Sequence, residues 1–140
     1  MADFNKHSDP LVLVVEDEAI IRIDMAEIIA ENGYEVVEAA NAAAALEILR
    51  TRPEVSLLFT DINMPGKLDG MDLARLVHEH WPKVRLVITS GGVAPTKAEI
   101  PDSGRFIPKP YRPMQILEEI DRQLHKSRVA SWNEGGITDG

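Results

Sequence analysis

Glu16, Asp17, Asp61, Thr89, Ser90 and Lys109 bring together carboxylates, hydroxyls and one ammonium, the groups needed to hold a hard divalent cation and stabilise a phosphoryl group. Their positions give the set its meaning. Glu16-Asp17 follows the apolar run Leu11–Val15, Asp61 follows residues 56–60, Thr89 and Ser90 close a run from residue 85, and Lys109 follows residues 105–107. If these runs are parallel strands, the polar residues meet outside the carboxyl ends of the sheet, where open α/β sheets bind ligands. A lone acid after a strand is most often a cap or turn residue, so the argument rests on the conjunction at four strand ends. Three crowded carboxylates repel one another, and they either take up protons or demand a cation. Mg²⁺ accepts oxygen ligands at about 2.0–2.1 Å and keeps several waters. With Mg²⁺ (or Mn²⁺ in its place) and Lys109 opposing three carboxylates, the pocket is nearly neutral and admits a phosphoryl group. Asp61 is the candidate nucleophile because it ends the presumed central strand, and carboxylates do form aspartyl phosphates.

The elements that must position these residues are legible in the apolar periodicity. Leu11–Val15 has the continuous valine-rich pattern of a strand buried on both faces of a parallel sheet. Ile21, Met25, Ile28 and Ile29 form a helical stripe over residues 19–32, which stops at Gly33, a residue free to adopt a left-handed C-cap. Residues 34–39 give a second strand, and Asn41 can cap a helix through Arg52 with Ala42, Ala45, Leu46 and Leu49 inward. Strand 56–60, a loop with Pro65, Gly66 and Gly70, helix 71–80 and strand 85–89 continue the alternation. A weaker strand at 105–107 precedes a helix opened by Pro113 and running to about residue 126, with Leu117, Ile120 and Leu124 inward. This order implies a parallel sheet with helices on both faces. Residues 91–104, which carry Pro95 and Pro101, leave room for one short helical turn around 96–100, and this segment is expected to be mobile.

The chain has 140 residues, which suits one domain spanning 10–126, preceded by a flexible segment 1–9 and followed by a disordered tail 127–140 in which Trp132 is the one docking candidate. A net charge of −8 and the lack of a basic stripe argue against direct DNA binding. With no cysteine, thiolate chemistry and Cys-ligated zinc are excluded. No signal peptide and no run near the ~20 apolar residues of a membrane span is visible, so a cytoplasmic protein is expected.

Over roughly residues 11–126 the chain resembles the receiver domains of two-component response regulators. The resemblance rests on Glu16-Asp17, on Asp61-Ile62-Asn63-Met64-Pro65 with Asp69-Gly70 just beyond, on the hydroxyl closing the fourth strand, and on Lys109-Pro110-Tyr111. It implies a flavodoxin-like (βα)5 doubly wound sheet of strand order 2-1-3-4-5. It also implies a stand-alone regulator in which Asp61 accepts phosphate from a sensor histidine kinase or histidine phosphotransfer protein. By the same resemblance Asp17 and Asp61 ligate Mg²⁺ through their side chains, Glu16 through water and Asn63 through its backbone carbonyl, while Lys109 contacts the phosphoryl group. A switch hydroxyl and an inward-turning aromatic, here Phe106, then alter the binding surface. Ser90 is favoured as the hydroxyl on residue counting, with Thr89 the alternative, and Phe106 reads equally well as a plain core residue. The Lys109-Pro110 bond is expected to be cis. Such a protein is not an enzyme, beyond slow autophosphorylation from small donors and autodephosphorylation. Its partners would be the phosphodonor, a downstream protein target and, on phosphorylation, a second copy of itself; membrane and DNA are not among them.

Two features depart from the family pattern. One extra residue lies in the 65–70 loop, and only 18 residues separate Ser90 from Lys109, so the fourth helix should be short or disrupted. Competing readings are a pseudo-receiver that keeps the fold without taking phosphate, an aspartate-dependent phosphohydrolase, and a flavin binder. The common hydrolase pattern wants an acid where this chain has Asn63, and Glu16-Asp17 would repel a flavin phosphate. His7, His78, His80 and His125 show no ligand spacing and read as surface residues, and the methionines as packing residues.

Overall fold

The computed structural model describes residues 9–92, 94–101 and 104–125. Strands Leu11–Val15 (β1), Glu35–Ala39 (β2), Val55–Asp61 (β3), Arg85–Ser90 (β4) and Gly104–Pro108 (β5) form a parallel sheet in the order β2-β1-β3-β4-β5. Helices Ala19–Glu31 (α1), Ala42–Thr51 (α2), Gly70–His80 (α3) and Pro113–Gln123 (α4) cover its two faces. The doubly wound architecture expected from the sequence is therefore present.

Alternation along the strands sorts the core into two halves. Leu13, Leu58, Leu86 and Ile88 pack with Ala45 and Leu49 of α2 and Leu73 and Val77 of α3. Val12, Val14, Leu57 and Val87 pack on the opposite face with Met25 and Ile29 of α1 and Ile116 and Ile120 of α4. Being buried on both faces is the reason β1 reads as an unbroken apolar run.

Local chemistry sets the element ends. Gly33 takes φ 99° after α1, the left-handed geometry anticipated for it. Asn41 accepts the Ala44 N–H at 2.8 Å on its side chain, capping α2. α3 begins one residue earlier than the apolar stripe suggested because Asp69 accepts the Asp72 N–H at 2.9 Å while Asp72 accepts the Asp69 N–H at 3.1 Å. α4 ends at Gln123, short of the expected 126, and His125 follows with φ 59°. Between β4 and β5 the described residues form a single 3-10 turn, Lys97–Glu99, opened by Thr96, whose N–H donates to Glu99 at 2.8 Å. The fourth helix is thus reduced to one turn, between Pro95 and Pro101. Most of the expected flexible segment 1–9 and the expected tail 127–140, with Trp132, lie outside the described residues. No described helix is long and apolar enough to cross a membrane.

Leu58 lies fully buried in the central strand β3, among side chains of α2 and α3. Leu58→Ala should destabilise the fold by about 2–5 kcal/mol, read as a lower urea midpoint with an unchanged slope.

Candidate functional site

β1 and β3 end side by side, with Val15 opposite Thr60 in register, so Glu16 and Asp61 leave the sheet as neighbours. Glu16 is fixed at several atoms. Its N–H donates to Ala39 O at 3.1 Å, its carbonyl accepts Arg22 Nη1 at 2.9 Å, and its Oε2 accepts the Glu18 N–H at 3.0 Å. Arg22, which no sequence motif singles out, also pairs with Glu38 at 3.1 Å and so ties α1 to the end of β2. Asp17 is exposed, while Glu16 and Asp61 are each 5% exposed. Carboxylate oxygens of the three acids lie within 4.8 Å of one another.

Lys109 enters from β5. Its N–H donates to Ser90 O at 3.0 Å, the Lys109-Pro110 bond is cis, and Nζ lies 3.4 Å from Asp61 Oδ2 and 3.6 Å from Glu16 Oε1. One ammonium thus faces two buried carboxylates, and a cationic deficit remains. The protonation balance reflects it. Burial raises the Asp61 pKa, with Asp17 adding to the rise, against Lys109 and a backbone hydrogen bond from Asn63. Burial likewise raises Glu16, helped by Asp61 and opposed by the Glu18 N–H and Lys109. Burial, Glu16 and Asp61 together push the Tyr111 phenol up to about 12, so it stays neutral. Asp61 Oδ1 is buried with no hydrogen-bond partner. An orphaned hard oxygen among crowded, reluctantly ionised carboxylates fits Mg²⁺ as the missing charge.

The hydroxyls of β4 are engaged differently. Thr89 pairs in register with Asp61, and its unpartnered Oγ1 belongs to a residue lining a small pocket of about 10 Å³ shared with Glu16, Phe59, Asp61 and Tyr111. Ser90 Oγ instead accepts Asn63 Nδ2–H at 3.1 Å and the Gly92 N–H at 3.0 Å. Both residues lie at the end of β4, Thr89 in register with Asp61 and Ser90 in register with Pro108, with the Ser90 hydroxyl joined to Asn63, two residues beyond Asp61. Phe106 pairs in register with Ile88 and is half-buried against the α2–α3 half of the core. His78 departs from its surface reading: it is half-buried, and Nδ1 is enclosed without a partner. The three described histidines take no part in the acidic cluster. A larger cavity, about 750 Å³ between the start of α2 at residues 40–43 and the loop at 65–68, is lined by none of the acids.

Gly70 has a role its motif did not disclose. Its N–H donates to Ile62 O at 2.9 Å, and a Cβ there would lie 1.9 Å from the Asp61 carbonyl oxygen. Only glycine lets the start of α3 sit against the nucleophile's own backbone.

The response regulator receiver domain family matches residues 12–121. The chain belongs to that family. Among curated relatives, it is 32% identical to the sensor kinase CckA of Brucella abortus, over 82% of this chain and 12% of that protein. It is 30% identical to the transcriptional regulatory protein PdtaR of Mycobacterium tuberculosis, over 90% of this chain and 62% of that one. The chain therefore spans an eighth to under two thirds of these two relatives. The CheY-like receiver domain of Methanospirillum hungatei superposes with a TM-score of 0.76 at 26% identity, covering 85% of this chain and 96% of that one. The receiver domain of the hybrid histidine kinase CckA gives a TM-score of 0.69 at 31% identity, covering 81% and 98%. Receiver domains are phosphoacceptor signalling domains that use Mg²⁺ and take phosphate from histidine kinases or phosphotransfer proteins.

Two expectations follow. Gly70→Ala should destabilise the protein by about 1–3 kcal/mol and displace Asp61, measurable by urea unfolding and by amide chemical shifts at Asp61 and Ile62. In metal-free protein the raised pKa values of Glu16 and Asp61 mean that the folded state binds protons more tightly than the unfolded chain. Their contribution to stability should therefore increase as pH falls from the raised folded values toward the ordinary carboxylate values. Asp61→Asn should flatten that slope and raise the melting temperature at neutral pH; Mg²⁺ should raise it in the native chain more than in the variant.

Proposed function

We propose that this chain acts as a response regulator receiver whose phosphoacceptor is Asp61. A carboxylate oxygen of Asp61 attacks the phosphorus of the donor, the bond from phosphorus to the leaving group breaks with its electron pair on that group, and an aspartyl phosphate remains. The donor is a phosphohistidine of a sensor kinase or phosphotransfer protein, or slowly a small acyl phosphate. The observation that carries this reading is Lys109 Nζ, 3.4 Å from Asp61 and 3.6 Å from Glu16, set against a cluster in which these two acids and Asp17 bring carboxylate oxygens within 4.8 Å of one another. Asp17 and Asp61 would hold Mg²⁺ through their side chains, Glu16 through water and Asn63 through its carbonyl. The bound ion supplies positive charge against the phosphoryl oxygens. Lys109 stabilises the same oxygens, and Ser90 is taken as the switch hydroxyl because its Oγ is held by Asn63 and Gly92 at the end of β4, with Thr89 the alternative.

Exposed apolar side chains near the acceptor support docking of a phosphodonor protein. Ile20 and Ile23 on α1 are 77% and 49% exposed, and Met114 in the first turn of α4 is 55% exposed. An open cavity of about 530 Å³ is lined by Ile21, Gly91, Lys109, Pro110 and Tyr111. Output passes through Ser90 and Phe106 to a protein-binding surface in the cytoplasm, directed at a downstream protein or a second copy; the net charge of −8 favours a protein target over DNA.

Intact mass after incubation with acetyl phosphate tests the acceptor chemistry. A single phosphoryl gain is expected that requires Mg²⁺ and is lost in Asp61→Asn. Lys109→Ala should slow the gain by about 10²–10³-fold. No gain in the native chain, from acetyl phosphate or from a panel of histidine kinases, would leave the pseudo-receiver as the function.

A further inference from the structure

Ser90 Oγ accepts two hydrogen bonds, from Asn63 Nδ2–H at 3.1 Å and from the Gly92 N–H at 3.0 Å. A hydroxyl has one donor and two acceptor positions. Both acceptor positions are therefore filled by protein donors, and the hydroxyl proton is the only capacity left. We propose that the Asn63 side chain is a positioning residue for phosphoryl transfer, because with Gly92 it fixes Ser90 as an obligate hydrogen-bond donor to a phosphoryl group on Asp61. This rests on the reading of Asp61 as phosphoacceptor and assigns to Asn63 a side-chain role separate from that of its backbone.

The chemistry of the incoming group makes the orientation matter. Phosphoryl oxygens carrying charge accept hydrogen bonds and donate none, so a hydroxyl free to rotate would spend part of its time presenting a lone pair to them. Satisfying both lone pairs in advance removes that reorganisation from the barrier, as preorganised donors do. Ser90 keeps its proton throughout; it stabilises charge and transfers nothing. Thr89 makes the contrast. Its Oγ1 has no hydrogen-bond partner, so nothing fixes the direction of its proton.

Asn63 is also placed to coordinate the two strand ends. Its backbone N–H is directed to Asp61 at the end of β3, while its side chain reaches Ser90 at the end of β4. Nucleophile and donor are thus referred to one residue. Gly92 acts through its backbone, which substitution leaves in place, so Asn63 is the half of the arrangement open to mutation. Asn63 is exposed, and truncating it removes no core contact.

The test compares phosphorylation rates from acetyl phosphate with saturating Mg²⁺ for the native chain, Asn63→Ala, Ser90→Ala and the double variant, read by quenched intact mass. Asn63→Ala should slow the native rate by about 3- to 10-fold, the worth of one neutral hydrogen bond. Adding Asn63→Ala to Ser90→Ala should slow it no further, since Asn63 acts only through the hydroxyl. The Mg²⁺ midpoint from thermal shift should be unchanged in Asn63→Ala, because the backbone carbonyl remains. An Asn63→Ala rate equal to native, effects of the two substitutions that multiply, or a shifted Mg²⁺ midpoint would each overturn the assignment. A native chain that takes no phosphoryl group would instead overturn the phosphoacceptor reading beneath it, so the two failures are told apart.

Discussion

Two buried carboxylates, Glu16 and Asp61, are held beside a third, Asp17, with one ammonium to balance them. Charges of one sign brought together away from water cost free energy, and here burial heads the causes that raise both buried acids. Such an arrangement persists only if the surrounding structure is rigid enough to impose it. The sheet supplies that rigidity. β1 and β3 are buried on both faces, and backbone hydrogen bonds to Ala39, Thr89 and Ser90 pin the residues leaving the strand ends. The stability lost at the site is what makes it receptive to a divalent cation, so binding and fold are linked through the same groups.

The connections around the sheet serve that placement to different degrees. The β3–α3 connection is tightly specified: Asp69 caps the helix, and Gly70 brings its first turn against the Asp61 backbone, closer than any side chain permits. The β1–α1 connection is fixed by Arg22, which reaches from the helix to the Glu16 carbonyl and to Glu38. The β4–β5 connection is lean by comparison. Its described residues hold one short turn where an alternating fold would carry a full helix, and Ile100 and Phe106 are left half-buried against the core. A sheet face thinly covered beside the site is a natural place for a signalling domain to present a surface that depends on the state of Asp61.

Much of this was decided by residue type and order alone. Valine-rich runs buried on both faces can only be central strands of a parallel sheet, and the right-handed crossovers between them force successive helices onto the two faces. The acids and the lysine, placed just past those runs, had to gather at one edge. Gly33, Asn41 and Pro113 carried local conformational signals strong enough to set element ends without tertiary help. Pro95 and Pro101 likewise excluded a full fourth helix in advance.

Tertiary structure decided what depends on contacts between residues distant in sequence. Residue counting favoured Ser90 over Thr89 but could not give either hydroxyl its partners; only the aligned strands bring Ser90 Oγ to Asn63 and Gly92 and leave Thr89 Oγ1 without a hydrogen-bond partner. Nothing in a helical stripe reveals that Arg22 spans two strand ends, or that His78 is half-buried, since both follow from how α1 and α3 lie against their neighbours. The need for glycine at position 70 was visible as a motif but not as a cause, because the atom a Cβ would strike belongs to Asp61, nine residues earlier in the chain. Local sequence sets the conformations a segment can adopt, whereas the partners of a side chain are set only when the strands align.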